Sequence, residues 1–550
     1  MRKPAKNAPI PSPGDSDVNL LAWLATCVSI FSFLFYYRQA EVLLYGDAIA
    51  HINIARRVFD SKTPGLLQLG TVWLPLPHLL MIPFLVSTEM WRRGAGGSIP
   101  SMAAYVFSVI GMFRLARGIF SRGSESDGSA RIAAWSAALI YGANPNLIYM
   151  QSTAMGETVY LAFFLWAIAY FSDSIRGNSS ALRKCGLCLA AACLTRYDGW
   201  FLAAAMAGVV LLQSFLSRQR LRSEAIKFLL IAAAAPILWL AYNGIVYRNP
   251  LEFANGPYSA KAIERRTQTA GNAGHPGSGN PFLAGLYFVK SAEANVAQNE
   301  WLQRTWILLG LGTVIAVGFV GRRLNGASSV LPIWMPLLFL LVPLPFYALS
   351  IAYGGVPIFI PNWWPFTHYN VRYGLQLLPA FAFSISILVY LVLRTSGWSS
   401  RVRVASVLGI FAILSVSYAS VWHATPICLE EAQTNMRIRN QFQVELARWL
   451  EKLPPDSTLL MYLGDQVGAL QRAAIPLKRT INEGNHRVWR QPIDPDGLWE
   501  RALADPSKYV DFVVAFEGDP VWQAVHDKHL REVIELHVTG QPRAILYTAR

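Results

Sequence analysis

Residues 19–57 read NLLAWLATCVSIFSFLFYY and then RQAEVLLYGDAIAHINIARR. The first stretch carries no charge and is long enough for a helix to cross a hydrocarbon layer of about 30 Å. No small-residue cleavage pattern precedes it, so it reads as an uncleaved signal anchor with 1–18 as a cytoplasmic tail. Asp47 and His51 follow its exit one helical turn apart, which places a carboxylate and an imidazole on one face at the membrane surface. Such a pair can take a proton from an incoming hydroxyl or amine. Equally, Asp47 can cap the helix that follows by accepting from its free backbone N–H groups.

The anchor is the first of many. Apolar runs of crossing length, or nearly so, recur at 99–117, 131–149, 157–173, 226–247, 303–320, 330–352, 371–393 and 403–422. The stretch 185–216 is interrupted by Thr195-Arg196-Tyr197-Asp198-Gly199-Trp200 and reads as two short helices meeting at a turn, which gives eleven crossings. The run at 71–90 holds Pro75, Pro77 and Pro83 and is assigned as interfacial or re-entrant, because proline removes backbone donors and breaks helices. With the N-terminus inside, the inner segments hold about 19 Lys and Arg in roughly 72 residues, and the outer loops about 14 in roughly 150. That bias puts loops 38–98 and 248–302, and everything beyond 423, outside a plasma (inner) membrane.

Composition agrees. Of 550 residues 53% are hydrophobic and only 15% charged, which excludes whole-chain disorder, collagen and a disulfide scaffold. The formal net charge is +15, but residues 424–550 carry 15 basic and 17 acidic side chains, so the excess belongs to the apolar part. There it serves topology and anionic lipid rather than nucleic acid. Of five cysteines, Cys27, Cys185, Cys188 and Cys193 fall in predicted helices and read as small buried hydrophobes.

From 424 onward an amphipathic helix at 430–452 ends at Pro454-Pro455, and apolar runs follow at 458–463, 511–516 and 544–548. This alternation predicts a small extracytoplasmic α/β domain over 424–550. Gly464-Asp465 and Asp494-Pro495-Asp496-Gly497 read as turns before they read as ligand sites.

Polar clusters gather on the outer side. His78 sits in Gln68 to His78, a segment of small, polar and proline residues that membrane depth tolerates only beside a cavity or protein. Glu157 opens the fourth crossing on the same side as Asp47, where a plain helix N-terminal carboxylate is the alternative. Arg196 and Asp198 either neutralise each other or offer Arg196 to a phosphate. His368-Tyr369-Asn370-Val371-Arg372-Tyr373 ends the fifth outer loop, with a guanidinium at a helix start, where phosphate is favoured. Lys261, Arg265 and Arg266 are further outer cations in a loop that composition makes flexible, a candidate lid.

In this order and sidedness the chain resembles the GT-C glycosyltransferases, and within them the branch of protein O-mannosyltransferases and lipid A aminoarabinose transferases. The resemblance implies transfer of a hexosyl or pentosyl group from a polyprenyl-phosphate sugar to an acceptor protein, glycan or lipid at the outer face. By resemblance Asp47 is the general base of an inverting displacement, Glu157 holds acceptor or metal, and Arg372 holds the leaving phosphate. His78 in Leu76-Pro77-His78 falls where relatives carry His-Pro-Pro, although here the prolines precede the histidine. His51, Arg196, Asp198, His368 and Tyr373 complete the expected substrate-binding set. A divalent cation shared by Asp47 and Glu157 is left open. The alternatives are a lipid or glycan transporter or flippase, a surface-polysaccharide polymerase or ligase, and a membrane scaffold.

Overall fold

An apolar run in hydrocarbon has no water to satisfy its backbone, so it closes its hydrogen bonds on itself as helix. The computed structural model describes residues 15–121, 127–216, 223–269, 274–325, 331–485 and 495–549. Most of the expected tail, residues 270–273 of the long outer loop and Asp494 lie outside the described residues. Among those described, nine helices are long and apolar enough to cross a membrane: Ser16–Arg38, Ala95–Phe120, Glu157–Ile175, Asp198–Leu216, Ser223–Val246, Glu300–Gly318, Trp334–Gly354, Val371–Arg394 and Ser400–Leu450. The other two expected crossings are shorter helices, Gly128–Gly142 and Ala181–Cys193. The first stops because Asn144 caps a new helix with Pro145 at its start; the second stops at the predicted turn, where Asp198 opens the next helix.

Burial ranks these helices. Val371–Arg394 is 89% buried and forms the centre, whereas Ser16–Arg38 is 17% buried and lies at the edge. The central helix is entered through a 3-10 turn, Val371–Leu377, pressed so closely on the helix Pro281–Ala294 that a Cβ at Gly374 would collide with the backbone of Ser291 and Ala292. The 71–90 run becomes the ten-residue helix Leu76–Leu85, too short to cross at 1.5 Å per residue.

Two expectations are corrected. The loop 248–302 is largely helical, with Glu252–Asn255, Ala260–Thr269 and Pro281–Ala294. Asn280 caps the last of these, and its Ala284, Tyr287, Phe288, Ser291 and Ala292 form a buried face at helical spacing. Cys27 lies exposed on the edge helix, while Cys185 and Cys193 are buried as expected.

The C-terminal part is an α/β domain. Helix Ile427–Leu450 leads into a sheet of order β2-β1-β3-β5-β4, with β1 Leu459–Met461, β2 Thr480–Ile481, β3 Phe512–Phe516, β4 Arg531–Leu536 and β5 Ala544–Thr548. β1 runs parallel to β2 and β3, and β5 antiparallel to β3 and β4. The domain is seated on the segment that follows the first membrane helix. Asn53 donates to Gln471 at 2.7 Å, Gln471 to the Trp91 carbonyl at 2.7 Å, and the Trp91 indole back to Asn53 at 3.0 Å. Gln68 donates to the Gly484 carbonyl at 2.8 Å and the Lys478 backbone N–H to Asp60 at 3.1 Å.

Candidate active site

Between the membrane helices and the C-terminal domain lies a cavity of about 2200 Å³. The helix Gly46–Arg57 runs along it and presents Asp47, His51, Ile54 and Arg57, one face at helical spacing. Tyr45 at its N-cap makes no side-chain capping bond and Asp47 lies one position inside the helix, so the capping alternative for Asp47 is not realised. Its carboxylate instead meets Arg372, Oδ2 to Nη2 at 2.6 Å, across 325 residues of chain.

Arg372 is the hub of a buried ion cluster. Its Nε donates to Glu157 at 3.2 Å and its Nη1 to Glu431 at 2.9 Å. Glu157 also accepts from Arg196 at 3.2 Å, and Arg196 reaches both oxygens of Asp198 at 3.3 Å and the Tyr347 hydroxyl at 2.6 Å. The Tyr373 ring lies between the guanidiniums, 4.9 Å from that of Arg196 and 5.0 Å from that of Arg372. Five of the sequence candidates, Glu157, Arg196, Asp198, Arg372 and Tyr373, therefore converge with Asp47. Four carboxylates face two guanidiniums and all four line the cavity, but 40% of the Asp47 side chain is exposed, whereas Glu157, Glu431 and Asp198 show 2%, 1% and 1%. Asp47 is thus the carboxylate of this cluster most open to an incoming group.

Asp47 and Glu157 do not sit together as a metal pair. The Arg372 guanidinium stands between them, so a divalent ion there would first have to displace it. No group of three or more metal-ligating side chains occurs among the described residues.

His51 and His78 form a pair, Nδ1 to Nε2 at 2.8 Å. His78 is fully buried and its Nδ1 has no partner, and a buried lone pair without a partner is tolerated better than a buried N–H. That assigns the proton to His78 Nε2, which donates to His51 and leaves His51 Nε2 as an N–H on a cavity-lining ring. Burial holds the His51 imidazole below its ordinary range, so the ring stays neutral.

His368 does not join them. It is buried against the helix Ile427–Leu450, its Nε2 3.7 Å from Glu430, and is not among the residues lining the cavity. Lys261 and Arg266 line the cavity wall, whereas Arg265 does not. Gly464–Gln466 forms a short turn after β1 that also lines the cavity, so turn and wall coincide there.

Glu431 is the cluster member that sequence reasoning missed. Its oxygens accept from the backbone N–H groups of Asn370 at 2.9 Å and Val371 at 2.8 Å, which locks the loop before Arg372 in place. A signal existed: Glu431 falls among Ile427, Cys428, Leu429, Ala432 and Met436 on the buried face of an amphipathic helix, where an unpaired charge is costly.

No family model and no curated protein matches the chain. Solved structures do. ArnT from Cupriavidus metallidurans, bound to undecaprenyl phosphate, superposes with a TM-score of 0.55 at 13% identity, covering 98% of both chains. The same protein in the apo state gives 0.55 and 13%, over 98% of this chain and 99% of that one. The Archaeoglobus fulgidus oligosaccharyltransferase, tethered with an acceptor peptide, gives 0.41 and 11%, over 92% of this chain and 69% of that one. The ArnT likeness is one of fold, and it runs from end to end through membrane helices and C-terminal domain alike. The resemblance to a GT-C architecture holds at that level.

Proposed function

We propose that this chain is a multi-pass membrane glycosyltransferase of GT-C type, moving a sugar from a polyprenyl-phosphate donor to an acceptor protein, glycan or lipid at the outer face of the membrane. The observation that carries this reading is the Asp47–Arg372 pair at 2.6 Å on the wall of a large cavity, its carboxylate half open and its guanidinium buried. The ArnT fold, solved with undecaprenyl phosphate, supports a lipid-linked donor.

Of the three carboxylates on Arg372, Asp47 alone is exposed enough to be exchanged. A donor phosphate that takes Nη2 of Arg372 releases Asp47 at the moment a base is needed. Asp47 then accepts the proton of the acceptor hydroxyl or amine as that atom bonds to the anomeric carbon. The electrons of the breaking C–O bond leave with the phosphate, and direct displacement inverts the anomeric configuration. Glu157 and Glu431 keep Arg372 aimed, and Arg196 and the neutral His51 N–H supply further donors to the phosphate or sugar. The positive-inside bias supports a cytoplasmic N-terminus and a C-terminal domain on the outer side.

The test is Asp47→Asn in membranes supplied with a labelled polyprenyl-phosphate sugar. Transfer by the native chain and a fall of roughly 10²–10⁴-fold in the variant are expected for loss of a general base. Undiminished transfer by the variant overturns the role of Asp47, and movement of label across the bilayer without transfer favours a flippase.

A further inference from the structure

Among the described residues, Arg57 lines the cavity without an ion-pair partner. Arg56 and Arg57 are neighbours at the end of the Gly46–Arg57 helix, and their surroundings are opposite. Arg56 is spent within the protein: it pairs with Asp60 at 2.7 Å, donates to the Leu85 and Val86 carbonyls and lies against Phe59 and Trp91. Arg57 lines the cavity; its Nε is buried without a hydrogen-bond partner, and among the described residues its guanidinium makes no ion pair. Glu483 and Tyr247 act on it through space without a hydrogen bond, and the oxygens of Glu483 accept from the N–H groups of Leu463 at 2.9 Å and Gly464 at 3.0 Å. A buried guanidinium N–H with no acceptor is costly unless a ligand supplies one.

What surrounds Arg57 narrows the ligand. Gln68 is 3% exposed and lines the same cavity; its amide donates to Gly484, while its Oε1 is buried with no donor. Gly484 lies beside both Gln68 Oε1 and Arg57 Nη1. An unmet acceptor next to an unmet cation suits an anionic group carried on a hydroxylated body. Tyr247, Tyr258 and Tyr462 line this end and offer rings to a sugar face. Ten helical residues separate Arg57 from Asp47, about 15 Å at 1.5 Å per residue, too far for the phosphate that leaves beside Asp47.

We propose that Arg57 and Gln68, roofed by Gly484 of the C-terminal domain, form an acceptor subsite for an anionic saccharide, binding its carboxylate or phosphate remote from the bond being made. The anion site stands by itself; its assignment to the acceptor rests on the transferase reading.

Timed modification of the full-length protein by phenylglyoxal, with mass spectrometry of each arginine, tests this without measuring transfer, so it can fail or succeed apart from the transferase assay. Arg57 is expected to react faster than the ion-paired Arg196 and Arg372. Glucuronate or glucose 6-phosphate at ten times its dissociation constant slows Arg57 about tenfold by occupancy, while glucose at the same concentration does not. Protection by the first alone identifies a carboxylate, and by the second alone a phosphoryl group. The proposal is overturned if neither anion protects, if glucose protects as well, if inorganic phosphate protects as well as its sugar ester, or if a glutamate-rich peptide protects where both sugars fail. An Arg57→Lys variant must lose the protection while keeping the native far-UV spectrum; a variant still protected at another arginine also overturns it.

Discussion

Asp47 has two tasks that pull against each other. Bound to Arg372 its carboxylate is occupied, and in the proposed reaction it works as a base only once freed. If the donor phosphate takes the place of Asp47, removing the Asp47 charge should ease phosphate binding even as it stops chemistry. Asp47→Asn is therefore expected to bind a sugar-free polyprenyl phosphate roughly tenfold tighter, one charge-assisted hydrogen bond being about 1.5 kcal/mol. Binding to the reconstituted protein checks this, and weaker binding by the variant would mean that carboxylate and phosphate do not compete. The neighbouring histidine adds a pH dependence. Because burial lowers the His51 pKa below its ordinary 6.5, the unfolded chain takes up that proton first as pH falls. Stability contributed by the neutral pair is present above about pH 6.5 and lost below it, so His51→Gln should flatten the fall in melting temperature between about pH 6.5 and 5.

Elements were legible where a single physical cause sets them. Charge-free apolar runs and the Arg196–Asp198 interruption placed nearly every membrane helix, because hydrocarbon leaves the backbone no alternative. β2 and β4 were not legible: β2 has two residues, and β4, Arg531–Leu536, is a charged edge strand without an apolar alternation to show it. The helix Pro281–Ala294 was hidden by the Gly, Pro and Asn around it, although its own apolar spacing was present. Its contact with the central helix gives a sharp expectation. Gly374→Ala would force the entry to Val371–Arg394 off Ser291 and move Arg372 with it, costing about 2–4 kcal/mol and most of the activity, whereas Gly397→Ala, with open space around it, should be neutral in the same thermal-unfolding assay. In the C-terminal domain, Asp519 caps the helix Pro520–Val525 by accepting from the Trp522 N–H at 2.6 Å, and burial pushes its carboxyl up to about 6. A raised carboxyl pKa means that the folded domain holds its proton more tightly than the unfolded chain does, so the charge costs stability above about pH 6 and the cost fades toward pH 4. Asp519→Asn keeps the cap and should stabilise at pH 8 by on the order of 1–2 kcal/mol, with little effect at pH 4.

At the scale of the whole molecule, the site comes from every quarter of the chain: Asp47 from the first loop, Glu157 and Arg196 from the early helices, Arg372 from the central one and Glu431 from the C-terminal domain. Order along the chain and sidedness in the membrane were enough to group the first four, because topology forces them onto one face. They were not enough for Glu431, since nothing local says that the helix after the last crossing folds back over the loop before Arg372. The same folding back closes the cavity, so domain seating and catalysis are expected to be linked. Gln471 is the place to test this, because it joins Asn53 and the Trp91 carbonyl from inside the domain. Gln471→Leu removes both bonds, leaving the Asn53 amide with the Ile49 carbonyl and the Trp91 carbonyl with the Gly94 N–H, a cost of about 1–3 kcal/mol carried by the seam rather than by either body. Hydrogen exchange should then quicken in Gly46–Arg57 and around β1 while Ala95–Phe120 keeps its protection, and transfer should fall along with it. If exchange at the seam is unchanged, the Gln68–Gly484 and Asp60–Lys478 contacts hold the domain by themselves, and the roof of the cavity is fixed without Gln471.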